Sequence, residues 1–326
     1  MDNYHIPVLV NEVIRSLQVE NGKSYIDATL GGGGHTEAIL KAGGCVLGID
    51  VDQEAIDYAG KRLAPFLKQT CPERFIKKAC PISPPPESGL QGGSNKFQCA
   101  SLQYKLQLVK GNFSKIKEVA KAFNLYQLDG ILFDLGVSTH QLETPNRGFS
   151  FNTSAILDMR MDQNLSVKAL DLVNGLREDE LYELFTKLGE EHRSRAIAHT
   201  IIGARKIKPI TTCDELAAIA LKITSRHRKY ERTHPATRIF QALRIAVNDE
   251  LNSLKEALPQ AVEILNPGGR LVIISFHSLE DRLVKNFFKE NENLKIITEH
   301  PLKPTNQEII SNPRSRSAKL RVAEKL

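Results

Sequence analysis

Ile26-Asp27-Ala28-Thr29-Leu30-Gly31-Gly32-Gly33-Gly34, followed further on by Gly48-Ile49-Asp50, is the stretch that decides how this chain folds. Tyr25 and Ile26 supply the aromatic and β-branched residues of a buried strand. The glycines then let backbone N–H groups approach a ligand that any Cβ would hold off. Asp50 closes a second strand nineteen residues beyond Gly31, about the spacing at which a carboxylate reaches ribose hydroxyls. A nucleotide-type cofactor site is therefore expected, with NAD, FAD and S-adenosylmethionine all open. The glycine run does not fit G-x-G-x-x-G, because Thr36 stands at its sixth position. No Lys-Ser/Thr follows it as in a P-loop, and pyrophosphate binding is disfavoured.

Working outward, strand signals lie at residues 24–28, 46–49, 107–109, 129–135 and 269–276, with a last strand at 316–322. Helical periodicity lies at 36–41, 53–67 and 113–123. Strands alternating with helices predict a parallel α/β sheet. Asn266-Pro267-Gly268-Gly269 reads as a tight turn feeding the strand at 270–275. From about Glu143 the pattern becomes helical, at 165–172, 179–188, 193–204 and 213–223, and an all-helical domain spanning 143–233 is expected to interrupt the sheet. Thr212 and Glu215 form a capping-box start for the last of these helices. His234-Pro235-Ala236-Thr237 opens a long helix to about Leu258 that returns the chain to the sheet. The sheet domain is thus discontinuous, 1–142 and 234–326. Within it, residues 71–104 are rich in Pro, Gly, Ser and Gln and read as a surface insertion.

The 326 residues, 41% of them hydrophobic, suffice for a sizeable core. No apolar run approaches a membrane span and the N-terminus lacks a signal-peptide pattern, so a cytoplasmic location is expected. Five cysteines (Cys45, Cys71, Cys80, Cys99 and Cys213) form no C-x-x-C pair; reduced thiols and no metal site are expected. The net charge of +6 is unevenly placed. Arg193, Arg195, Arg205, Lys206, Lys208, Lys222, Arg226, Arg228, Lys229 and Arg232 fall in one segment against Asp214, Glu215 and Glu231. That segment reads either as a footprint for phosphates or as a solvated helical face.

The motifs carry a resemblance across nearly the whole chain outside 71–104. They are His5-Ile6-Pro7-Val8-Leu9, the glycine turn through His35-Thr36, residues 129–138 (DGILFDLGVS), Arg147-Gly148-Phe149-Ser150-Phe151, residues 157–162 (LDMRMD), His234-Pro235-Ala236-Thr237-Arg238, residues 275–281 (SFHSLED) and residues 312–317 (NPRSRS). In these the chain resembles the MraW/RsmH family, S-adenosylmethionine-dependent methyltransferases of small-subunit ribosomal RNA. The resemblance implies a Rossmann-like methyltransferase sheet with an inserted helical domain, and methylation of the exocyclic N4 of a cytidine in the decoding region of 16S rRNA, with rRNA within the small ribosomal subunit as partner. A homodimer is one open oligomeric form. Leu30, Thr139-His140 and the long 71–104 segment depart from the family pattern.

Carried onto this sequence, the family's cofactor contacts fall on Gly33, Gly34, His35, Asp50, Phe113, Asp134 and Gln141. His35 reads equally as a helix cap. Asp134, at the carboxyl end of its strand, is the leading candidate to orient the amine or the cofactor's amino group. Asp158, Arg160 and His277 follow as catalytic candidates; the first two read equally as an ion pair tying the helical insertion to the sheet, and His277 as a hinge. Arg226, Arg228, Lys229 and Arg232, with Arg314, Arg316 and Arg321 in the tail, are candidate phosphate contacts. The rival readings are a nicotinamide-dependent oxidoreductase, resting on the glycine turn and Asp50, and a non-catalytic RNA-binding protein that kept the fold.

Overall fold

The glycine turn joins a strand to a helix, as its residues require, and the elements around it follow in order. Helix α1 (Val10–Leu17) leads into β1 (Ser24–Asp27), then α2 (Gly34–Lys41), β2 (Cys45–Asp50), α3 (Gln53–Arg62) and a single turn α4 (Ala64–Leu67). Next come β3 (Leu106–Lys110), α5 (Ile116–Ala122), β4 (Leu128–Asp134) and α6 (Thr139–Glu143). Four helices intervene: α7 (Ala169–Gly175), α8 (Glu178–Lys187), α9 (Ser194–Ile207) and α10 (Cys213–Thr224). The chain ends with α11 (Ala236–Asn248), α12 (Glu250–Ile264), β5 (Leu265–Ser275), α13 (Ser278–Glu290), β6 (Leu294–Ile296), α14 (Asn306–Ser311) and β7 (Lys319–Lys325). This computed structural model describes residues 6–67, 69, 105–151, 153–224 and 234–326. The surface insertion read at 71–104, and Arg226, Arg228, Lys229 and Arg232, lie outside the described residues.

The seven strands form one sheet in the order β3-β2-β1-β4-β5-β7-β6. The first five strands pair in parallel and β7 runs antiparallel to both neighbours. Because the chain moves outward from β1 to β3 and then returns to β4 on the other side, strand order switches between β1 and β4. The crevice beyond the carboxyl ends of these two strands is where an open α/β sheet takes its ligand.

Both faces of the sheet are covered, which is why its central strands read as continuous apolar runs instead of alternating ones. Ile26, Leu47, Ile49, Ile131 and Phe133 pack toward α5, α12 and α13 residues such as Ile116, Leu254 and Val284. Tyr25, Val46, Leu132, Val272 and Ile274 pack on the other side with Val13, Leu17, Ile39 and Leu63. Each such side chain, once removed from water, contributes about 1.5–3 kcal/mol.

A separate core unites the intervening helices through Leu181, Phe185, Ile197, Ile201 and Leu216, and it also takes in Ile239, Phe240 and Leu243 of α11. The long helix expected from 234 to 258 is in fact two helices, divided at Asp249, whose φ of 49° is left-handed. Packing therefore returns to the sheet at Asp249, later than the expected boundary at 233. Pro259 sits inside α12 on its exposed side, where the carbonyl it leaves unbonded faces water.

Other departures are local. Asn266-Pro267-Gly268-Gly269 is not a free turn but lies within β5, at a register shift against Leu128 and Gly130 of β4. The helix expected over 53–67 is divided at Leu63. Strand β6 was not expected, since three residues are too few to show a period. Cys213 is a free, buried thiol, which burial pushes up to about 12; Cys71, Cys80 and Cys99 lie outside the described residues.

Candidate active site

At the switch point lies a cleft of about 900 Å³, counted out to open solvent. It is lined by the turn after β1, by Asp50, Gly111 and Phe113, by the loop after β4, and by Met161, Glu250 and Phe276.

The glycines of the turn have different reasons to be glycine. Gly31 is left-handed (φ +49°) and a Cβ there would meet nothing nearer than the Thr29 carbonyl oxygen at 3.9 Å, so it keeps the cleft wall open. A Cβ on Gly34 would come within 2.7 Å of Pro7 Cγ, and one on Gly33 within 2.9 Å of Leu63 Cδ1. Gly34 lines the cleft, whereas Gly33 is absent from its lining and is turned toward α3. The Gly31 amide donates to Asp50 Oδ2 at 2.7 Å and the Asp52 amide to Oδ1 at 2.9 Å. Burial pushes the Asp50 carboxyl up to about 6 against the pull of these two amides.

His35 does not cap α2. Its Nε2 lies 2.8 Å from the Val8 carbonyl oxygen, which can only accept, so that nitrogen carries the hydrogen. Its Nδ1 faces Asp134 Oδ2 at 3.5 Å. The Asp134 amide donates to Thr29 Oγ1 at 2.6 Å, tying the end of β4 to the turn after β1. Beneath them the buried Asp27 accepts from Thr36 Oγ1 at 2.7 Å, and burial raises its pKa although His35 and Thr36 oppose the rise. Phe113 lines the cleft and stands edge-on to Phe133 with centroids 5.7 Å apart, which fixes its ring plane.

Gln141 lines the same cleft, but both ends of its amide serve the protein. Its oxygen accepts from the Ser138 amide at 3.0 Å and its nitrogen donates to Asp52 Oδ2 at 2.8 Å. Arg147 meets the same Asp52 oxygen at 2.8 Å, reaches Glu54 at 2.8 Å, and donates to the carbonyls of Arg160 and Met161. One buried guanidinium thus joins the start of α3 to the loop that carries Met161 into the cleft.

The sequence model of the MraW methylase family matches residues 2–79 and 93–326. The chain belongs to this family. It is 44% identical over 345 residues to Ribosomal RNA small subunit methyltransferase H of Carboxydothermus hydrogenoformans, covering 100% of this chain and 99% of that one. Against the protein of the same name from Trichormus variabilis it is 45% identical over 324 residues, covering 98% and 92%. A crystal structure of an rRNA methylase from Streptococcus thermophilus aligns with a TM-score of 0.40 at 11% identity, over 97% of this chain and 93% of that one.

Within this family member, the structure separates the candidate residues. Asp158 and Arg160 pair with each other at 2.7 Å, and Arg160 also donates to the carbonyls of Gln163 and Leu165. Burial works to raise the Asp158 pKa, but Arg160 overcomes it and holds the carboxyl below its ordinary value. Neither residue lines the cleft; they brace their own loop, and do not tie the insertion to the sheet. His277 is the N-cap of α13, accepting at Nδ1 from the Glu280 amide at 3.4 Å. It too lies behind the lining, through its neighbour Phe276.

Arg321 is corrected outright as an RNA contact. It is 7% exposed on β7 and its Nε lies 2.6 Å from Asp281; as an inward position of a paired strand it had no route to solvent. Arg314 is exposed and meets Glu143 at 3.0 Å, and Arg316 is exposed. In the basic segment, Arg195 stacks over Tyr182 at 5.0 Å, Arg205 donates to the Val173 carbonyl at 2.7 Å, and Lys208 pairs with Glu215 at 2.6 Å. These three cations serve the helical core's own surface.

Sequence reasoning missed Thr29, Met161, Glu250 and Phe276 as parts of the cleft, and Asp52 with Arg147 beneath it. Asp52 stands two residues beyond Asp50, close enough for the same strand-end spacing to have pointed to it; Glu250 carried no motif. Among the described residues no helix is long and apolar enough to cross a membrane.

Proposed function

We propose that this protein methylates small-subunit ribosomal RNA with S-adenosylmethionine, at the exocyclic N4 of a cytidine in the decoding region of 16S rRNA. The observation that carries this reading is the end-to-end similarity, 44% over all of this chain, to a protein named as a small-subunit rRNA methyltransferase.

The cleft fits the cofactor. Gly31 leaves its wall free of a Cβ, Asp50 has lone pairs left beyond the two amides to accept ribose hydroxyls, and Phe113 offers a flat apolar face for a purine. Gly34 and His35 complete the floor, with the His35 side chain acting on Asp134. Bound there, S-adenosylmethionine supplies a methyl group whose bond to sulfur breaks as the bond to nitrogen forms, leaving a neutral thioether.

A cytosine paired in a duplex cannot present N4 to such a cleft, so the base is taken unpaired or splayed out. The helical domain, whose core extends through α11, would hold the surrounding RNA, with phosphate contacts from residues 226–232 and from Arg314 and Arg316. Such contacts set the register of the RNA and not its sequence. Work on rRNA would place the protein in the cytoplasm.

The test is transfer of radiolabelled methyl to small ribosomal subunits and, separately, to deproteinised 16S rRNA, followed by nucleoside analysis. N4-methylcytidine in either, lost in Asp134→Ala, is the expected result. Confirmed cofactor binding with no incorporation into either substrate would overturn the reading.

A further inference from the structure

Glu250 is a carboxylate in the cleft wall that the cofactor reading leaves without a task. We propose that Glu250 is a catalytic residue of this reaction: the acceptor that takes a hydrogen bond from the target amine and receives the proton it sheds. The inference rests on the methyltransferase reading above.

Glu250 lines the same cleft as Gly31, Asp50 and Phe113, together with Val137, Met161 and Phe276. Gly31, Asp50 and Phe113 come from the ends of β1, β2 and β3, whereas Val137 and Met161 follow β4 and Phe276 follows β5. Asp249, with its left-handed backbone, ends α11 and starts α12 at this point, so the carboxylate stands where the substrate domain returns to the sheet.

The carboxylate is also held rigid. Arg244 donates from Nε to Glu250 Oε1 and from Nη2 to Oε2, both at 2.8 Å, with 15% and 11% of the two side chains exposed. A bidentate pair fixes the plane of the carboxylate while each oxygen keeps lone pairs for a further donor. Holding an acceptor in place before the reaction is how a site lowers a barrier without reorganising.

Its surroundings are rich in ionisable groups. Glu250, His277 and Glu280 bring ligand atoms within 4.8 Å of one another. The Glu280 amide donates to His277 Nδ1 at 3.4 Å, and His277 Nε2 lies 3.0 Å from Glu280 Oε1. Burial works to raise the Glu280 pKa, yet His277 and Arg244 hold it below its ordinary value. Two carboxylates, Glu250 and Glu280, thus act on the Arg244 guanidinium, and a fixed carboxylate in the cleft favours a partner that becomes positive, as the amine nitrogen does while it gains a methyl.

The same trio has the look of a cation site, but Nε2 could ligate only by losing its hydrogen while Nδ1 still accepts from the backbone. That ring would have no hydrogen on either nitrogen, or else the cap of α13 would break. Asp134 lines the same cleft, with its Oδ2 facing His35 Nδ1 at 3.5 Å. In the step, N4 gains the carbon that leaves sulfur, and one N4 proton passes to a Glu250 oxygen and from there to water.

The test compares wild type, Glu250→Gln and Glu250→Asp in methyl transfer to small subunits under saturating cofactor, beside calorimetric affinity for S-adenosylhomocysteine and thermal melting. Glu250→Gln should lose about 10²–10³ in kcat, with cofactor affinity within about threefold and a melt lowered by the loss of the Arg244 ion pair. Glu250→Asp keeps the charge and draws it back by one methylene, and should lose at least about tenfold. A kcat within about threefold of wild type in either variant overturns the proposal, and so does a fall in cofactor affinity that matches the fall in kcat, since Glu250 would then be holding cofactor. If Glu250→Gln does not fold, Glu250→Asp decides alone. A wild type that binds cofactor and methylates nothing removes the parent reading and this one with it, an outcome separable from an active wild type with an indifferent Glu250→Gln.

Discussion

The amide of Gly31 donates to Asp50 Oδ2 at 2.7 Å, so the glycine turn and the acid that closes β2 are one unit of the cleft. Burial pushes Asp50 up to about 6, while ribose hydroxyls would donate more strongly to its ionised form. Proton and cofactor therefore compete. Affinity for S-adenosylhomocysteine should be full above pH 6 and fall as pH drops through about 6, by up to about tenfold per pH unit. In the free protein the sign is opposite. The folded pKa exceeds the ordinary 3.8, so ionising Asp50 costs stability above about 6, and that cost is relieved as pH falls toward 3.8. Calorimetry between about pH 5 and 8 checks the binding arm, and an affinity that is flat across the range would contradict it. Asp50→Asn should bind weakly with no such slope.

Arg147 and Asp52 meet at 2.8 Å with 4% and 3% of their side chains exposed. Removing one partner of a buried pair leaves an uncompensated charge and costs about 3–5 kcal/mol. Arg147→Met should therefore lower stability by about that amount in urea unfolding, and Asp52→Asn placed on top should recover part of it. Additive losses in the double variant would show that the two side chains do not act as a pair. Because Arg147 also holds the carbonyls of Arg160 and Met161, the variant should in addition raise KM for RNA more than for cofactor.

The parallel sheet was legible because its strands are covered on both faces, and a run such as Ile131-Leu132-Phe133 can then be little else. The site was legible where backbone demands a residue type, as at Gly31, or where a strand end presents an acid, as at Asp50 and Asp134. What stayed hidden depends on tertiary contact. Nothing local distinguishes Arg147, which is buried among acids, from Arg316, which is exposed, nor tells that Arg321 faces Asp281. The break at Asp249 was hidden because apolar periodicity continues through it; only the switch from the helical core to the sheet core reveals it. Glu250 was missed for that reason, since it reads as an ordinary first-turn acid.

Two glycines should respond in opposite directions to alanine. Gly148 has φ +69°, and a Cβ there would lie 2.3 Å from the Ile156 carbonyl oxygen and 2.6 Å from the Asp158 amide. Backbone cannot yield as a flexible side chain does, so Gly148→Ala should cost more than about 4 kcal/mol or fail to fold. Gly203 is an exposed residue of α9 with nothing within 4 Å of the added carbon. Gly203→Ala should stabilise by about 0.5–1 kcal/mol through helix propensity alone. Denaturant midpoints of the two variants test both signs.

The tail arginines should separate an RNA face from a structural pair. Arg314 and Arg316 are exposed on the turn before β7, whereas Arg321 is buried against Asp281 at 2.6 Å. Removing a cation that neutralises one phosphate should reduce the slope of log affinity against log salt by about 0.7–0.9. Arg316→Ala should show that reduction with an unchanged melt. Arg314→Ala should show less, because Glu143 already engages the guanidinium at 3.0 Å. Arg321→Ala should leave the slope unchanged and lower the melting temperature, since among the described residues Asp281 then keeps one ion-pair partner, Lys319 at 2.9 Å. Filter binding of 16S rRNA at graded salt reads all three, and a reduced slope in Arg321→Ala with an intact melt would return that residue to the RNA face.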